Sequence, residues 1–458
     1  MLDDILDYLE HIRARPVWRP IPDQVRTRFR EDLPAEPSDV ASVHETFMRD
    51  ILPFAAGNAH PGFMGWVHGG GNVAGLFAEM LAGGLNANLG GRDQAPIEVE
   101  QQIVHWMREL FGFPAASTGL FVTGSSMANL IGVLVARARS LGVDVRQKGV
   151  SGHRLIAYTS AAAHGCIPQA MDLSGIGIDS LRMIEIDDQH RMNVDALKRT
   201  IEADRRAGLR PFLLVGTAGS VDTGSIDDLA ELADVARRED LWFHVDGAYG
   251  ALGMLAPSIA PRLAGIEKAD SIAVDFHKWL QVPYDAGFIL VRDGTLHRDT
   301  FASPASYLRR ETRGLAGGSF WPCDFGPDLS RGFRALKTWF TIKVYGSEAL
   351  GAMITHTCLL ARHLEFKIVT SREFELLAPV SLNIVCFRHR GQDADRLNAE
   401  IVASLHEAGI AAPSTTSIGG KLAIRAAIFN HRTQTRDIDD LLDAVAALGA
   451  RYGAAQAA

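Results

Sequence analysis

The sequence predicts an α/β protein built on a mostly parallel, twisted sheet. Two observations carry that prediction. Short apolar runs rich in β-branched residues recur along the middle of the chain, at LIAYTS (155–160), LRMIEI (181–186), PFLLVG (211–216), LWFHVD (241–246), SIAVDF (271–276) and AGFILV (286–291). Helical patterns separate most of them, notably over 193–207 and 226–238, giving a strand-then-helix repeat of about thirty residues. In such sheets ligands bind beyond the carboxyl ends of the strands, so the residues just after each run are the ones that bear on function.

The flanks read differently. Residues 1 to 15 predict a helix with Leu2, Ile5, Leu6, Leu9 and Ile12 on one face, broken off by Pro16, Pro20 and Pro22. Such a stripe needs a partner, and a second subunit would supply one. Helical patterns follow near 40–52, 73–87 and 96–112. Residues 300–330 are rich in Gly, Ser, Pro and Arg without periodicity, as functional loops are. Helices resume after about 331, and a smaller α+β region closes the chain with strand-like NIVCFRH (383–389) and KLAIRAAIF (421–429) and a helix near 437–449.

Composition narrows the function. The 458 residues are 47% hydrophobic and 22% charged, ordinary usage for a globular protein with a sizeable core. The formal net charge of −8, with no basic stripe, argues against nucleic acid as a partner. Four scattered cysteines form no CxxC pair and read as free thiols in a reducing compartment, with no metal site indicated. No run approaches the ~18 apolar residues of a membrane span. The acidic, amphipathic start is unlike a signal peptide. Together these features predict a cytoplasmic protein.

Four motifs follow strand-like runs. DFHKWL (275–280) places Lys278 after a buried run, where desolvation lowers a lysine's pKa and makes it a nucleophile toward a carbonyl; the alternative is a surface lysine at a strand end. FHVDGAYG (243–250) ends a strand on Asp246, a carboxylate that needs a positive partner such as a pyridinium nitrogen, or that caps the next turn. Asp246 and Lys278 lie 32 residues apart, so adjacent strands would bring them to one ligand. VTGSSMANL (122–130) opens a helix with Gly-Ser-Ser, which suits a phosphate or an ordinary serine cap. AAAHGCIP (161–168) sets His164 where an imidazole can stack on a flat ring or serve structure alone. Thr217 and Ser220 follow PFLLVG as hydroxyl donors or turn residues.

These motifs, with HPGFMGWV (60–67), VGTAGSVDTGSIDDL (215–229), SRGFRALKTWF (330–340) and IRAAIFNHRT (424–433), resemble those of the group II amino-acid decarboxylases that depend on pyridoxal 5'-phosphate (PLP), most of all the aromatic-L-amino-acid decarboxylases. The resemblance covers nearly the whole chain. It implies a type I PLP-dependent transferase fold: an N-terminal segment (1–70), a large PLP-binding domain with a mostly parallel seven-stranded sheet (71–345) and a small C-terminal α+β domain (346–458). It implies a homodimer with active sites at the subunit interface and a small amino-acid substrate. It carries over Lys278 as the Schiff-base lysine, Asp246 as the partner of the ring nitrogen and His164 as the stacking residue. Ser125 and Ser126 match the phosphate turn; Thr217, Ala248, Asp275 and His277 match further cofactor contacts; Trp66 falls in the substrate pocket. One departure stands out. The place of the family's mobile-loop tyrosine, which protonates the carbanion, falls on Pro322 beside Phe320 and Trp321, with Tyr307 upstream. That leaves amine and aldehyde both open as products, with His164 as a substitute proton donor. The substrate is open as well: Phe63, Trp66 and Phe320 suit an aromatic side chain, His68 and the arginines of 300–334 an acidic one.

Overall fold

A computed structural model describes residues 1–303, 310–318 and 320–457. The chain forms two compact units, one from residues 1–70 with 357–458 and the other from residues 71–356. Among the described residues the strands are β1 (Phe63–Met64), β2 (Thr118–Val122), β3 (Leu155–Ser160), β4 (Leu181–Ile184), β5 (Arg210–Thr217), β6 (Trp242–Asp246), β7 (Ser271–Asp275), β8 (Gly287–Val291), β9 (Phe374–Leu376), β10 (Ile384–His389), β11 (Ala412–Ile418) and β12 (Lys421–Ala427).

The larger unit holds a seven-stranded sheet in the order β2-β8-β7-β6-β5-β3-β4. β4, β3, β5, β6 and β7 run parallel, whereas β8 runs antiparallel to both neighbours. The run at 286–291 therefore departs from the strand–helix repeat. Only residues 276–286 separate it from β7, too short a stretch for a parallel crossover. Likewise 247–270 is crossed by 3-10 turns (Gly250–Leu255, Ala260–Leu263, Ile266–Lys268) in place of an α-helix, yet β6 and β7 still pair in parallel.

Every residue of β3, β6, β7 and β8 is buried, which explains their continuous apolar character. The helix Ser125–Leu141 covers the centre of the sheet with Ala128, Ile131, Val133, Val135 and Ala136, in one core with Ala157, Leu213, Val215 and Ile289. Each Ile, Val or Leu among them contributes about 1.5–3 kcal/mol on burial. The approach is close: a Cβ on Gly132 would stand 2.8 Å from the His244 ring, so only glycine fits. A buried ion pair, Arg331–Glu100 at 2.6 Å, ties the helix Ala95–Phe111 to β2, where Glu100 accepts from the Phe121 N–H and Arg331 donates to its carbonyl.

The smaller unit has a five-stranded sheet, β1-β11-β12-β10-β9, packed with the helices Ala394–Glu407 and Thr435–Ala457 around Ile401, Leu405, Ile424, Ile438 and Leu441. The two-residue β1 pairs in parallel with β11. The N-terminal helix is shorter than its pattern predicts, Leu2–Glu10 followed by a 3-10 turn at Ile12–Ala14, and the 40–52 pattern splits into Val40–Thr46 and a π turn at Phe47–Ile51. No described helix is long and apolar enough to cross a membrane.

Candidate active site

The pairing registers bring the motifs to one edge of the large sheet. Thr217 lies opposite Asp246 across β5 and β6, Asp246 opposite Ala273 across β6 and β7, and Asp275 and Val122 both opposite Gly287 of β8. The carboxyl ends of β2, β3, β5, β6 and β7 thus share an edge with the start of β8.

Lys278 sits in the tight connection from β7 to β8, pinned by Phe276 and Trp279, both fully buried. Its Nζ lies 2.9 Å from Asp275 Oδ2. The same carboxylate accepts from the Ser125 N–H and the Ser125 hydroxyl, each at 2.7 Å, at the first turn of the Ser125–Leu141 helix. Burial alone would push the Asp275 carboxyl up, but Lys278, His277 and Ser125 outweigh it and hold it below the ordinary range. The lysine differs from the sequence expectation. Burial does disfavour its charge, yet Asp275 foremost, and Asp246 beyond it, raise its pKa above the ordinary value.

His277 is buried, and its Nδ1 accepts from the Ala286 N–H at 2.9 Å. The neutral ring therefore carries its proton on Nε2, 3.7 Å from Asp275 Oδ2. Burial pushes this histidine down to about 4. The ring of Tyr284 lies 4.3 Å from it, centroid to centroid.

Asp246 ends β6, and its Oδ1 accepts from the Ala248 N–H at 3.1 Å. Ala248 in turn accepts from the Asp275 N–H at 2.9 Å, linking the two aspartates through the backbone. The Cys166 thiol stands 3.9 Å from Asp246 Oδ2. His164, exposed after β3, accepts at Nδ1 from the Cys166 N–H at 3.1 Å. Thr217 donates its N–H to Asp227 at 2.8 Å, and burial pushes that aspartate up to about 6.

Lys278, Asp275, Ser125 and His277 are thus one contact cluster, and Asp246, Ala248, Thr217 and Cys166 adjoin it. Ser126 is exposed beside Ser125. Trp66 belongs to the other unit, 54% exposed, its ring 5.9 Å from Phe63 and 6.2 Å from His68. In the loop, Trp321 is buried with its Nε1–H donating to Gly317, and Phe320 stacks on Phe325 at 4.7 Å. Tyr307 lies outside the described residues. Sequence reasoning missed Asn129, Cys166 and His244 as members of the site, although each lies inside a motif it singled out, and it missed Tyr284.

The residues fit PLP. The Thr217 hydroxyl is buried and finds no hydrogen-bond partner among the described residues, although an unmet hydroxyl is costly. Among the described residues Asp246, 4% exposed, meets the Ala248 N–H and the Cys166 thiol, and it interacts electrostatically with Lys278. This edge of the sheet therefore offers a hydroxyl and a carboxylate, which suit a ring that bears a cationic nitrogen, together with an amine.

Comparison with known proteins agrees. The pyridoxal-dependent decarboxylase conserved domain matches residues 22–390. The aromatic-L-amino-acid decarboxylase of Bacillus atrophaeus is 33% identical, over 98% of this chain and 93% of its own. The L-2,4-diaminobutyrate decarboxylase of Rhizobium meliloti (strain 1021) is 34% identical, over 91% and 83%. The fold matches that of Oryza sativa TDC, solved with PLP and tryptamine, at a TM-score of 0.91 and 24% identity over 99% of this chain and 96% of that one. With its seven-stranded sheet and its lysine and aspartates at one strand edge, the chain belongs to the pyridoxal-dependent decarboxylase family and is a PLP-dependent amino-acid decarboxylase.

Proposed function

We propose that the protein decarboxylates an aromatic L-amino acid to the corresponding amine, with Lys278 holding the cofactor. The observation that supports the site assignment is the register that puts Thr217 opposite Asp246 at the ends of β5 and β6, with Asp275 at the end of the neighbouring β7 holding Lys278 Nζ at 2.9 Å. The aromatic preference rests on the Bacillus relative.

Bound there, PLP supplies an electron sink for the pair left at Cα when carbon dioxide departs. Asp246 holds the proton of the ring nitrogen. Thr217 would donate its hydroxyl to the cofactor, and His164 would supply a flat ring to stack against it. Ser126 and the N–H groups at the start of the Ser125–Leu141 helix take the phosphate, helped by the helix dipole and by His277 Nε2–H. Ser125 acts one step back, because both its donors already hold Asp275. Asp275 in turn holds Lys278 Nζ in place. These groups supply orientation and charge stabilisation, and a dry pocket strengthens both.

The protein is proposed to act as a cytoplasmic homodimer. Met80, Leu81 and Leu85 are exposed on the helix Val73–Leu85, as an apolar face awaiting a second subunit would be. Light scattering at twice the chain mass supports this, and a monomer at working concentration contradicts it.

A panel of L-amino acids in air, with products read by mass spectrometry, tests the chemistry. An amine lighter than an aromatic substrate by CO2 is expected. Pro322 at the tyrosine's place favours one other reading, oxidative release of the aldehyde with O2 as oxidant. Peroxide and ammonia formed with the aldehyde mark that outcome.

A further inference from the structure

Behind Asp246 a line of buried polar side chains crosses the interface between the sheet and the Ser125–Leu141 helix. The Trp242 indole N–H donates to Ser271 Oγ at 2.8 Å. Ser271 Oγ lies 2.7 Å from His244 Nδ1, and His244 Nε2 lies 2.7 Å from Asn129 Oδ1. Asn129 Nδ2 donates to Cys166 Sγ at 3.2 Å, and Cys166 Sγ stands 3.9 Å from Asp246 Oδ2. Asn129, His244 and Ser271 are fully buried, and Cys166 is 5% exposed.

The direction of the line follows from Asn129, whose Nδ2 donates to Cys166 and whose Oδ1, facing His244 Nε2, can only accept. The neutral His244 ring therefore carries its proton on Nε2 and leaves Nδ1 as acceptor, so Ser271 Oγ, which accepts from the indole, donates its own proton to Nδ1. The Asn129 amide gives to the sulfur, and the thiol proton faces the carboxylate. Each donor points toward Asp246, and donors in a chain strengthen one another in a low-dielectric interior. His244 stays neutral, because burial pushes it down to about 3.

We propose that Cys166, Asn129 and His244 are positioning residues that set the proton affinity of the Asp246 carboxylate, and through it how fully the cofactor's ring nitrogen is protonated. A plain structural role explains less. The line contains a histidine, an amide and a thiol at a place where apolar side chains would fill the space without polar atoms to satisfy, and it ends on the one carboxylate assigned to the ring. Gly132, which allows no Cβ against His244, keeps the helix close enough for Asn129 to reach both neighbours. The inference rests on the assignment of Asp246 to the ring nitrogen.

The test uses the full-length enzyme loaded with PLP labelled with 15N at the ring nitrogen. Its chemical shift reports protonation directly, whatever the activity. In Cys166→Ala the carboxylate keeps the Ala248 N–H on Oδ1 but loses its donor on Oδ2 and becomes more basic. The resonance is expected to move toward the unprotonated position, with kcat falling about five- to tenfold. In Cys166→Ser a stronger donor replaces the thiol, so the resonance stays at or beyond the wild-type protonated position. Asn129→Leu, which leaves Cys166 in place but cuts the line behind it, is expected to shift the resonance as Cys166→Ala does, by less. An unmoved resonance in Cys166→Ala, or movement of Cys166→Ser toward the unprotonated position, overturns the proposal. Asp246→Asn separates the two levels. If it leaves the resonance unchanged, the assignment of Asp246 itself fails; if it moves the resonance while the Cys166 variants do not, only the relay fails.

Discussion

Two adjacent parallel strands, β6 and β7, each end on a buried aspartate, and the two carboxylates live in opposite surroundings. Asp275 is met by a cation, a hydroxyl and a helix-end N–H, all from its own chain, at 2.7 to 2.9 Å. Asp246 has one backbone N–H, a distant thiol and the more remote charge of Lys278, with neutral groups stacked behind it. Burying a carboxylate is costly unless it meets charge or several donors. The fold meets that cost for Asp275 and leaves much of it standing at Asp246, where a protonated ring nitrogen completes the site. The first aspartate is part of the scaffold and the second waits for the ligand.

Substitutions can break that contrast at several points. Lys278→Ala removes the amine at its centre, and turnover is expected to fall by about 10³-fold or more in a steady-state assay; wild-type turnover would remove the lysine from the chemistry. Asp246→Asn keeps the fold but weakens the sink, and kcat is expected to drop by about 10²–10³-fold. The melting temperature of the cofactor-free Asp246→Asn variant should hold or rise. Asp275→Asn should act the other way on stability, costing about 1–3 kcal/mol in denaturant unfolding because Lys278 and Ser125 lose their partner. Equal effects of the two substitutions on cofactor-free stability would erase the distinction between the aspartates.

A smaller effect concerns pH. His244, His277 and His297 in the large unit and His431 in the small one are pushed down by burial to between about 3 and 4. Between those values and about 6.5 the unfolded chain binds more protons than the folded one, so stability rises with pH across that window and levels off above it. Asp227, raised to about 6, and Asp270, which burial also raises, work in the opposite sense from about 3.8 upward, against these four histidines and His60, which burial lowers as well. Melting temperatures from pH 4 to 8 should therefore climb and then flatten; a decline from pH 4 to 6.5 would contradict the neutral, buried histidines.

Much of this was legible in the sequence, for reasons particular residues make plain. Lys278 and Asp246 stand directly after all-apolar strands, and strand identity plus spacing places both at one edge. The strand–helix repeat gives way where topology overrides period. β8 turns back antiparallel because 276–286 is short, and 247–270 crosses between parallel strands without an α-helix. The partners of each charge were harder to read. Nothing in DFHKWL says that Asp275 would capture Ser125, 150 residues away, and reverse the expected shift of Lys278. Asn129, Cys166 and His244 form a line only once a helix is laid on the sheet, since they are contributed by separate elements.

The assignment of Lys278 is tested most directly by locating the cofactor itself. The enzyme is loaded with PLP, reduced with borohydride, digested and mapped by mass spectrometry. The account predicts a single phosphopyridoxyl group on Lys278; a group on any other lysine, or none at all on a fully loaded protein, would contradict it.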